Sequence, residues 1–298
     1  MEYGLSLLLG MATELVLTVA VSALFGTALD TLIIMLSALS LRLFTGGAKD
    51  IFCDYDVVFS VTDPDYYLKN QEWIQRFGEL VIMQQNDDKI GERDKYLFLM
   101  QFKDGVRIDL SFDPVDCIAQ TIANDSLTKV LLDKDNVIKP LPLPNDSIYN
   151  VPKPTETEFN KVMNEVWWIQ TYVVKGIWRD ELPLVRYMYD VILLDCIVKL
   201  LSWYVGIQHD WKVNVGKCGR WNNKYLPQSL FNEFKATYSG ASYEQIWTAL
   251  FNAGKLIRKV GTEVAHELSY TYPLQDDINV TEYIRKVKEL KKDATEFE

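Results

Sequence analysis

Two short segments of the chain alternate apolar and polar side chains in the way that favours β-strands. In CDYDVVFSV (residues 53–61) the apolar set alternates with Asp54 and Asp56, and in VRIDLSF (residues 106–112) it alternates with Asp109. Successive side chains of a strand point to opposite faces of a sheet. Each segment can therefore bury its apolar set and present carboxylates on the other face.

Like charges aligned on one face of a sheet destabilise it unless a cation neutralises them. Mg²⁺ suits this role because it is a hard ion that binds carboxylate oxygens and substrate phosphates together. We therefore predict that Asp54, Asp56 and Asp109 form a magnesium platform of the kind used in nucleotidyl transfer. The simpler interpretation is that they are solvated acids of strand faces or turns, and the pattern alone does not separate the two.

The first half of the chain mixes strands with helices. Strand patterns occur in DYDVVFSV, in LVIMQ and in the pair YLFLMQF and VRIDLSF, which the turn at Asp104 and Gly105 joins as a hairpin. The spacing of apolar residues predicts a helix from Asp65 to Phe77. This half of the chain, residues 1–139, is therefore expected to fold around a mixed β-sheet.

Residues 140–154 contain half of the ten prolines and can form neither a helix nor a central strand, so we predict a linker there. After it, residues 155–298 show helical spacing and few strand signals. The predicted helices cover residues 156–181, 184–206, 228–238, 242–267 and 280–292. The sequence thus predicts an α+β protein in which a mixed-sheet domain is followed by a C-terminal α-helical bundle.

Composition narrows the classes of partner. The net charge of −10 over 298 residues argues against binding to a nucleic-acid backbone, which depends on Lys and Arg. It suits a polycationic small molecule, although acidity also serves solubility. The four cysteines form no C-x-x-C pair and indicate reduced thiols in a cytoplasmic protein. Two histidines give little basis for a zinc site or a Ser-His-Asp triad.

The predicted helix 156–181 carries a polar and aromatic stripe. At 100° per residue its members lie within about 80° of arc, away from the valines that can serve a core; they are Glu165, Trp168, Tyr172, Lys175 and Arg179. One interpretation is a solvated stripe with i, i+4 charge support. The other is a surface that faces a cleft opposite the aspartates, where a lysine holds a triphosphate and an acid with aromatics holds an amine-rich sugar.

The first 48 residues carry four charged side chains, Glu2, Glu14, Asp30 and Arg42. The longest uncharged run near the start, residues 15–29, is shorter than the ~20 apolar residues that a membrane span needs. A secretory signal would begin with a basic region, which is missing here. We therefore expect buried helices followed by a first strand at LRLFT, and no membrane partner.

Several stretches resemble one enzyme family in continuous order. They include DYDVVFSVTD (54–63), WIQRFGELVIMQ (73–84), RIDLSF (107–112), KVLLDKD (129–135), NEVWWIQTYVVKGIWRDEL (164–182), SWYVGI (202–207), VGK (215–217) and SYEQIWTALF (242–251). From about residue 52 to about residue 288 the chain resembles the aminoglycoside 6-adenylyltransferases, the streptomycin-modifying branch of the nucleotidyltransferase superfamily. The first 50 residues do not match this pattern well.

The resemblance implies transfer of AMP from Mg-ATP to a hydroxyl of an aminoglycoside, streptomycin first, with release of pyrophosphate and resistance to the antibiotic. It implies that Asp54 and Asp56 anchor magnesium on the triphosphate. Asp109 would complete the metal site or take the proton of the attacking hydroxyl, a role for which Glu165 is the alternative. Helical-domain lysines contact the triphosphate in related enzymes, and the matching positions are Lys175 and Lys217. Glu165 with Trp168 and Tyr172 would bind the drug.

The family also carries a Gly-Ser pair that cradles the nucleotide phosphates, farther upstream of the two aspartates. Here Gly46 and Gly47 stand close before Asp54, and the serine hydroxyl is missing. Two glycines can still present backbone N–H groups to phosphate. A reading-frame error upstream of about Lys49 would explain the departure. Two other functions stay open, a nucleotide-binding module of this fold without turnover and a nucleotidyltransferase that acts on RNA or protein.

Overall fold

A computed structural model describes residues 33–36 and 52–297 of the chain. The chain separates into two compact units, and the division falls between Ile148 and Tyr149. This division lies within the proline-rich segment 140–154. Each unit is described by itself below.

The first unit contains one mixed sheet, which in the described residues has six strands. They are β1 (Ile33–Leu36), β2 (Asp54–Val61), β3 (Leu80–Ile90), β4 (Arg93–Phe102), β5 (Arg107–Pro114) and β6 (Lys129–Asp133). Their order across the sheet is β3-β4-β5-β2-β1-β6. Strands β2 and β5 run parallel, and the other neighbouring pairs are antiparallel. The hairpin of β3 and β4 therefore lies between β2 and β5 in sequence but outside them in the sheet.

Two hairpins define one half of this sheet. The predicted turn between β4 and β5 is confirmed, and Gly105 has a φ of 90° there. The turn between β3 and β4 was not predicted, and Gly91 has a φ of 62° there. The strand predicted at LVIMQ is longer than expected and continues to Ile90. Positive φ values of this kind favour glycine because it lacks a Cβ atom.

Two sequence predictions for the first unit are wrong. The helix expected from Asp65 to Phe77 consists of α1 (Pro64–Lys69) and a separate 3₁₀ turn (Glu72–Arg76). The break lies at Asn70, whose backbone leaves the helical conformation (φ −121°, ψ 87°). Its backbone N–H (3.0 Å) and its side-chain amide (2.9 Å) both donate to the carbonyl of Tyr66 and cap the end of the helix. Strand β1 also lies where a buried helix was expected. The strand predicted at LRLFT falls outside the described residues.

The core of the first unit is an aromatic cluster around Phe112, which has no exposed surface. Its ring stacks on Tyr67 with centroids 4.1 Å apart and meets the edges of Trp73 (5.2 Å) and Phe59 (5.6 Å). Burying side chains of this size stabilises a fold by about 1.5–3 kcal/mol each. Because Phe59 and Phe112 belong to the predicted apolar sets of β2 and β5, this packing turns the opposite faces, with the carboxylates, away from the aromatic core. A last helix, α2 (Ile118–Ala123), follows β5.

The second unit is the predicted helical bundle. Its helices are α3 (Glu156–Arg179), α4 (Leu182–Arg186), α5 (Leu194–Gln208), α6 (Asn222–Tyr225), α7 (Gln228–Lys235), α8 (Tyr243–Leu268) and α9 (Leu274–Glu289). A π-helical segment, Tyr187–Leu193, joins α4 to α5. The single helix predicted over residues 184–206 is therefore three consecutive helical segments.

Helix α3 has well-defined ends. The Thr155 hydroxyl accepts from the backbone N–H of Glu158 (3.2 Å), and the Glu158 carboxylate accepts from the backbone N–H of Thr155 (2.8 Å). This reciprocal capping box satisfies two backbone donors that the helix leaves unpaired. The helix ends at Asp180, which adopts a left-handed conformation (φ 63°). Its apolar face is buried, and the predicted core residues Val166, Val173 and Val174 have no exposed surface.

Among residues 33–36 and 52–297, no helix has the length and apolar character needed to cross a membrane.

Candidate active site

The three aspartates lie on one face of the parallel pair β2 and β5. The strand register places Asp56 beside Asp109 and Asp54 beside Arg107. Neighbouring strands lie about 4.8 Å apart, so side chains of paired residues on one face are close neighbours. The structure therefore brings Asp54, Asp56 and Asp109 together, at the end of the sheet where both strands begin.

Arg107 is the cation of this cluster. Its Nε and Nη2 atoms donate to the two carboxylate oxygens of Asp109 at 2.9 and 2.8 Å. Its Nε also lies 4.0 Å from a carboxylate oxygen of Asp54. A two-pronged contact of this kind fixes the orientation of a carboxylate. Arg107 thus holds Asp109 in place and partly compensates the negative charge.

Asp56 is electrostatically disfavoured as a carboxylate in this cluster. Its partial burial, followed by the charges of Asp109 and Asp54, raises the pKa of Asp56 to about 6, although Arg107 opposes the shift. Asp56 forms no ion pair or hydrogen bond through its side chain with another described residue. A cation that binds beside such a carboxylate stabilises its ionised form.

The donor chemistry fits magnesium through Asp54 and Asp56. As the side chains stand, no group of three or more His, Cys, Asp or Glu residues within the described ranges could hold a metal ion by itself. Magnesium usually keeps several waters and binds one or two carboxylates plus substrate phosphates, so an all-protein cage is not required. Arg107 occupies one acceptor position on each Asp109 oxygen and leaves the others available.

Farther along the same strands, the polar face becomes buried and internally bonded. The carboxylate of Asp113, 3% exposed, accepts from Ser111 (2.5 Å) and from Thr121 of α2 (2.9 Å). These bonds attach α2 to β5 and satisfy a buried charge that would otherwise be costly. In the described parts of β2 and β5, the partly exposed acids on this face are therefore Asp54, Asp56 and Asp109.

The predicted stripe of α3 lies on the second unit. Trp168 is 56% exposed, and its ring lies 6.1 Å from that of Tyr172. The ammonium group of Lys175 lies 4.5 Å above the Tyr172 ring, and it forms no ion pair with another residue that the structure describes. Exposed aromatic rings beside an uncompensated cation are suited to bind an anionic or ring-containing ligand.

Glu165 adds negative charge to the same surface. Burial raises the pKa of the Cys196 thiol to about 11, and the carboxylates of Asp195 and Glu165 add to that shift. Glu165 of α3 and Asp195 of α5 therefore both act on the Cys196 thiol.

The other predicted nucleotide contacts are less constrained. Lys217 is exposed and begins a 3₁₀ turn, Lys217–Gly219. Gly46 and Gly47 lie outside the described residues.

Sequence reasoning assigned no role to Arg107 or Asp195. Strand alternation places Arg107 two positions before Asp109 on the same face. This spacing of a basic and an acidic residue could have predicted their ion pair. The action of Glu165 on Cys196 depends on how α5 packs in the bundle, which no local pattern encodes.

Carboxylates gathered on a parallel strand pair of an α/β unit, followed by a helical bundle, are the arrangement expected of a nucleotidyltransferase. The family model for streptomycin adenylyltransferase matches residues 40–287. The chain belongs to that family and is therefore a nucleotidyltransferase.

Two relatives are aminoglycoside 6-adenylyltransferases. That of Campylobacter jejuni is 35% identical over 251 residues, which are 83% of this chain and 86% of the relative. That of Bacillus subtilis (strain 168) is 34% identical over 241 residues, 78% of this chain and 84% of the relative. The crystal structure of an aminoglycoside 6-adenyltransferase from Bacillus subtilis matches with a TM-score of 0.47 and 27% identity, over 91% of this chain and 96% of that one.

The start of the chain matches a different family. The model for accessory gene regulator B matches residues 1–48 and overlaps the adenylyltransferase match at residues 40–48. The reading-frame error considered above stays a prediction.

The raised pKa of Asp56 predicts how stability depends on pH. The folded value of about 6 exceeds the ordinary value of 3.8. The stabilising contribution of protonated Asp56 is therefore complete at a pH below its ordinary pKa of 3.8, and it is lost as the pH rises through about 6. From about pH 4 to about pH 7, metal-free wild type should lose about 1–2 kcal/mol of unfolding free energy relative to Asp56→Asn, after allowance for solvent screening.

Urea denaturation in the presence of a chelator measures this difference. Asp135→Asn is the matched control, because it removes the charge of an exposed aspartate of the same unit. Its stability relative to wild type should change little over the same pH range. Parallel pH profiles for wild type and Asp56→Asn would contradict the assignment of the raised pKa to Asp56.

Proposed function

We propose that this enzyme transfers AMP from Mg-ATP to a hydroxyl group of an aminoglycoside, with streptomycin as the first candidate, and thereby inactivates the antibiotic. In the reaction, the hydroxyl oxygen of the drug forms a bond to the α-phosphorus of ATP. The bond between the α-phosphorus and the oxygen that bridges it to the β-phosphorus breaks, and pyrophosphate leaves with that oxygen. The names of the relatives and of the family support the aminoglycoside as acceptor.

The observation that carries the proposal is the register of β2 and β5. It sets Asp56 beside Asp109, with Asp54 one pair away, and leaves Asp56 with a raised pKa and no side-chain ion pair in the described chain. Structural carboxylates are usually paired or dispersed. A cluster of carboxylates that repel one another indicates a place where a cation binds.

Asp54 and Asp56 would hold magnesium, which would neutralise triphosphate charge when bound. Fixing the triphosphate in this way positions the α-phosphorus for in-line attack. Arg107 contributes through Asp109, whose oxygens it orients. Asp109 then completes the metal site or accepts the proton of the drug hydroxyl, and Glu165 is the alternative acceptor.

The α3 surface supplies features that a polycationic sugar and a nucleotide require. Glu165 offers negative charge to drug amines, while Trp168 and Tyr172 offer flat apolar faces. The uncompensated charge of Lys175 suits a phosphate group. The net charge of −10 favours approach of a polycation at low ionic strength.

The first test is an ATP-dependent assay over a panel of aminoglycosides, with the mass of the drug as readout. Wild type should add one adenylyl group to streptomycin, and Asp54→Asn and Asp56→Asn should each reduce the rate by at least about a hundredfold, because each removes a charge that acts in the transition state. The exposed Asp135→Asn is the control and should keep wild-type turnover. No mass change on any drug would refute the proposal. Near-normal turnover of Asp54→Asn or Asp56→Asn would show that the magnesium site is wrongly assigned.

Lys175→Met tests the nucleotide contact. Loss of a point charge on phosphate should weaken ATP binding by about tenfold and leave drug binding nearly unchanged. Calorimetric titration with ATP and with the drug measures both affinities. The control is Lys235→Met, because Lys235 also lies over an aromatic ring, 5.5 Å from Phe231, but outside the α3 stripe. Unchanged ATP affinity in Lys175→Met would favour the alternative interpretation, in which the α3 stripe is a solvated surface that does not contact the nucleotide.

Glu165→Gln separates drug binding from proton transfer. If Glu165 only holds an amine of the drug, its loss should raise the KM for the drug several-fold and leave the kcat and the KM for ATP unchanged. Steady-state kinetics with each substrate varied measures this split, and Glu156→Gln at the exposed start of the same helix is the control. A severe fall in kcat with unchanged drug affinity would instead make Glu165 the general base and assign Asp109 to the metal.

A further inference from the structure

The second unit contains a cavity that the proposed reaction does not use. It lies between α3, α8 and α9 and has a volume of about 80 Å³. Trp167 and Gln170, both at most 2% exposed, line it from α3. A Cβ atom on Gly254 of α8 would lie 3.8 Å from the side-chain amide oxygen of Gln170 and 3.9 Å from the Trp167 ring, so a longer side chain at this position would enter the cavity. The cavity is thus large enough for a small ion.

The rim of this cavity is cationic although the protein as a whole is acidic. Lys255, Arg258 and Arg285 line it, and Lys288 lies 5.2 Å from the ring of Phe251, which is also a lining residue. Lys255 and Arg285 form no ion pair with any residue in the described ranges. Cations that converge without partners on a concave surface raise the local concentration of anions.

Arg258 is held rigidly at this rim. Its Nε and Nη2 atoms donate to the carboxylate of Asp277 at 2.6 and 2.5 Å, and Asp277 is 1% exposed. Asp277 also accepts from the Tyr272 hydroxyl at 2.7 Å. The Nη1 group of Arg258 has no partner among these contacts. A guanidinium group fixed on one side and free on the other is organised in advance for an anion.

The geometry points to a binding site for a phosphate-type oxyanion, with Arg258, Lys255 and Arg285 as its donors. Several N–H donors converge there, and the fixed fork of a guanidinium group matches the oxygens of phosphate. The apolar walls formed by Leu250 and Ile284 strengthen charge-assisted hydrogen bonds because they keep water away. The site is independent of the proposed adenylyl transfer.

Calorimetric titration of the full chain with inorganic phosphate tests this site, without magnesium and at constant ionic strength. Wild type should show saturable binding. The double variant Lys255→Gln with Arg285→Gln should bind at least about tenfold more weakly, as expected for the loss of charge-assisted hydrogen bonds. Both side chains are exposed and without ion pairs in the described structure, so the fold should persist.

Lys286→Gln is the matched control, because Lys286 is adjacent to Arg285 but lies over the ring of Phe297, 4.9 Å from its centroid. It should keep wild-type phosphate affinity. Gly254→Leu keeps every charge and fills the cavity, so it should also abolish binding. The double charge variant tests the site even if Gly254→Leu does not fold.

Three outcomes would overturn the proposal. One is the lack of saturable phosphate binding by wild type, and another is unchanged affinity in the double variant. The third is wild-type affinity in folded Gly254→Leu, which would place the phosphate on the open basic surface. The double variant should retain adenylyl transfer, so failure of this site and failure of the proposed function give different results.

Discussion

The parallel pairing of β2 with β5 is the constraint on which the candidate active site depends. Aromatic packing around Phe112 fixes which face of each strand is buried, and the register then sets Asp56 beside Asp109. A shift of one residue would turn the carboxylates into the core. The same packing that stabilises the first unit therefore forces like charges together, at an electrostatic cost visible in the raised pKa of Asp56.

Arg107 limits that cost without removing it. Its two bonds to Asp109 compensate one carboxylate and leave Asp56 exposed to the repulsion of its neighbours. A second arginine would make the cluster more stable but would compete with any cation for the same oxygens. The incomplete compensation is what a site that binds a divalent ion together with phosphate requires, because binding then relieves the repulsion.

The sequence predicted the fold class and most of the secondary structure because those depend on local patterns. Alternation of apolar and polar residues identified β2 and β5, and the Asp104–Gly105 pair identified the hairpin of β4 with β5. Apolar residues at 3.6-residue spacing identified the helical bundle. The break at Asn70 was missed because no proline or glycine marks the place where the backbone leaves the helical conformation. The contact of Arg107 with Asp109 and the action of Glu165 on Cys196 depend on rotamers and helix packing, which a linear pattern does not contain.

The join between the two family matches lies just upstream of the site. The carboxylates begin at Asp54, after the accessory gene regulator B match ends at residue 48, so the acidic cluster belongs wholly to the adenylyltransferase part. Gly46 and Gly47, which the family resemblance sets at the position of a Gly-Ser pair, lie where the two matches overlap and outside the described residues. One hydrogen bond to a charged group contributes about 1.5–3 kcal/mol, so a missing serine hydroxyl in the proposed reaction would weaken ATP binding by about ten- to a hundredfold. The carboxylates proposed to hold the metal follow the overlap, so the departure would bear on affinity for ATP more than on the chemical step.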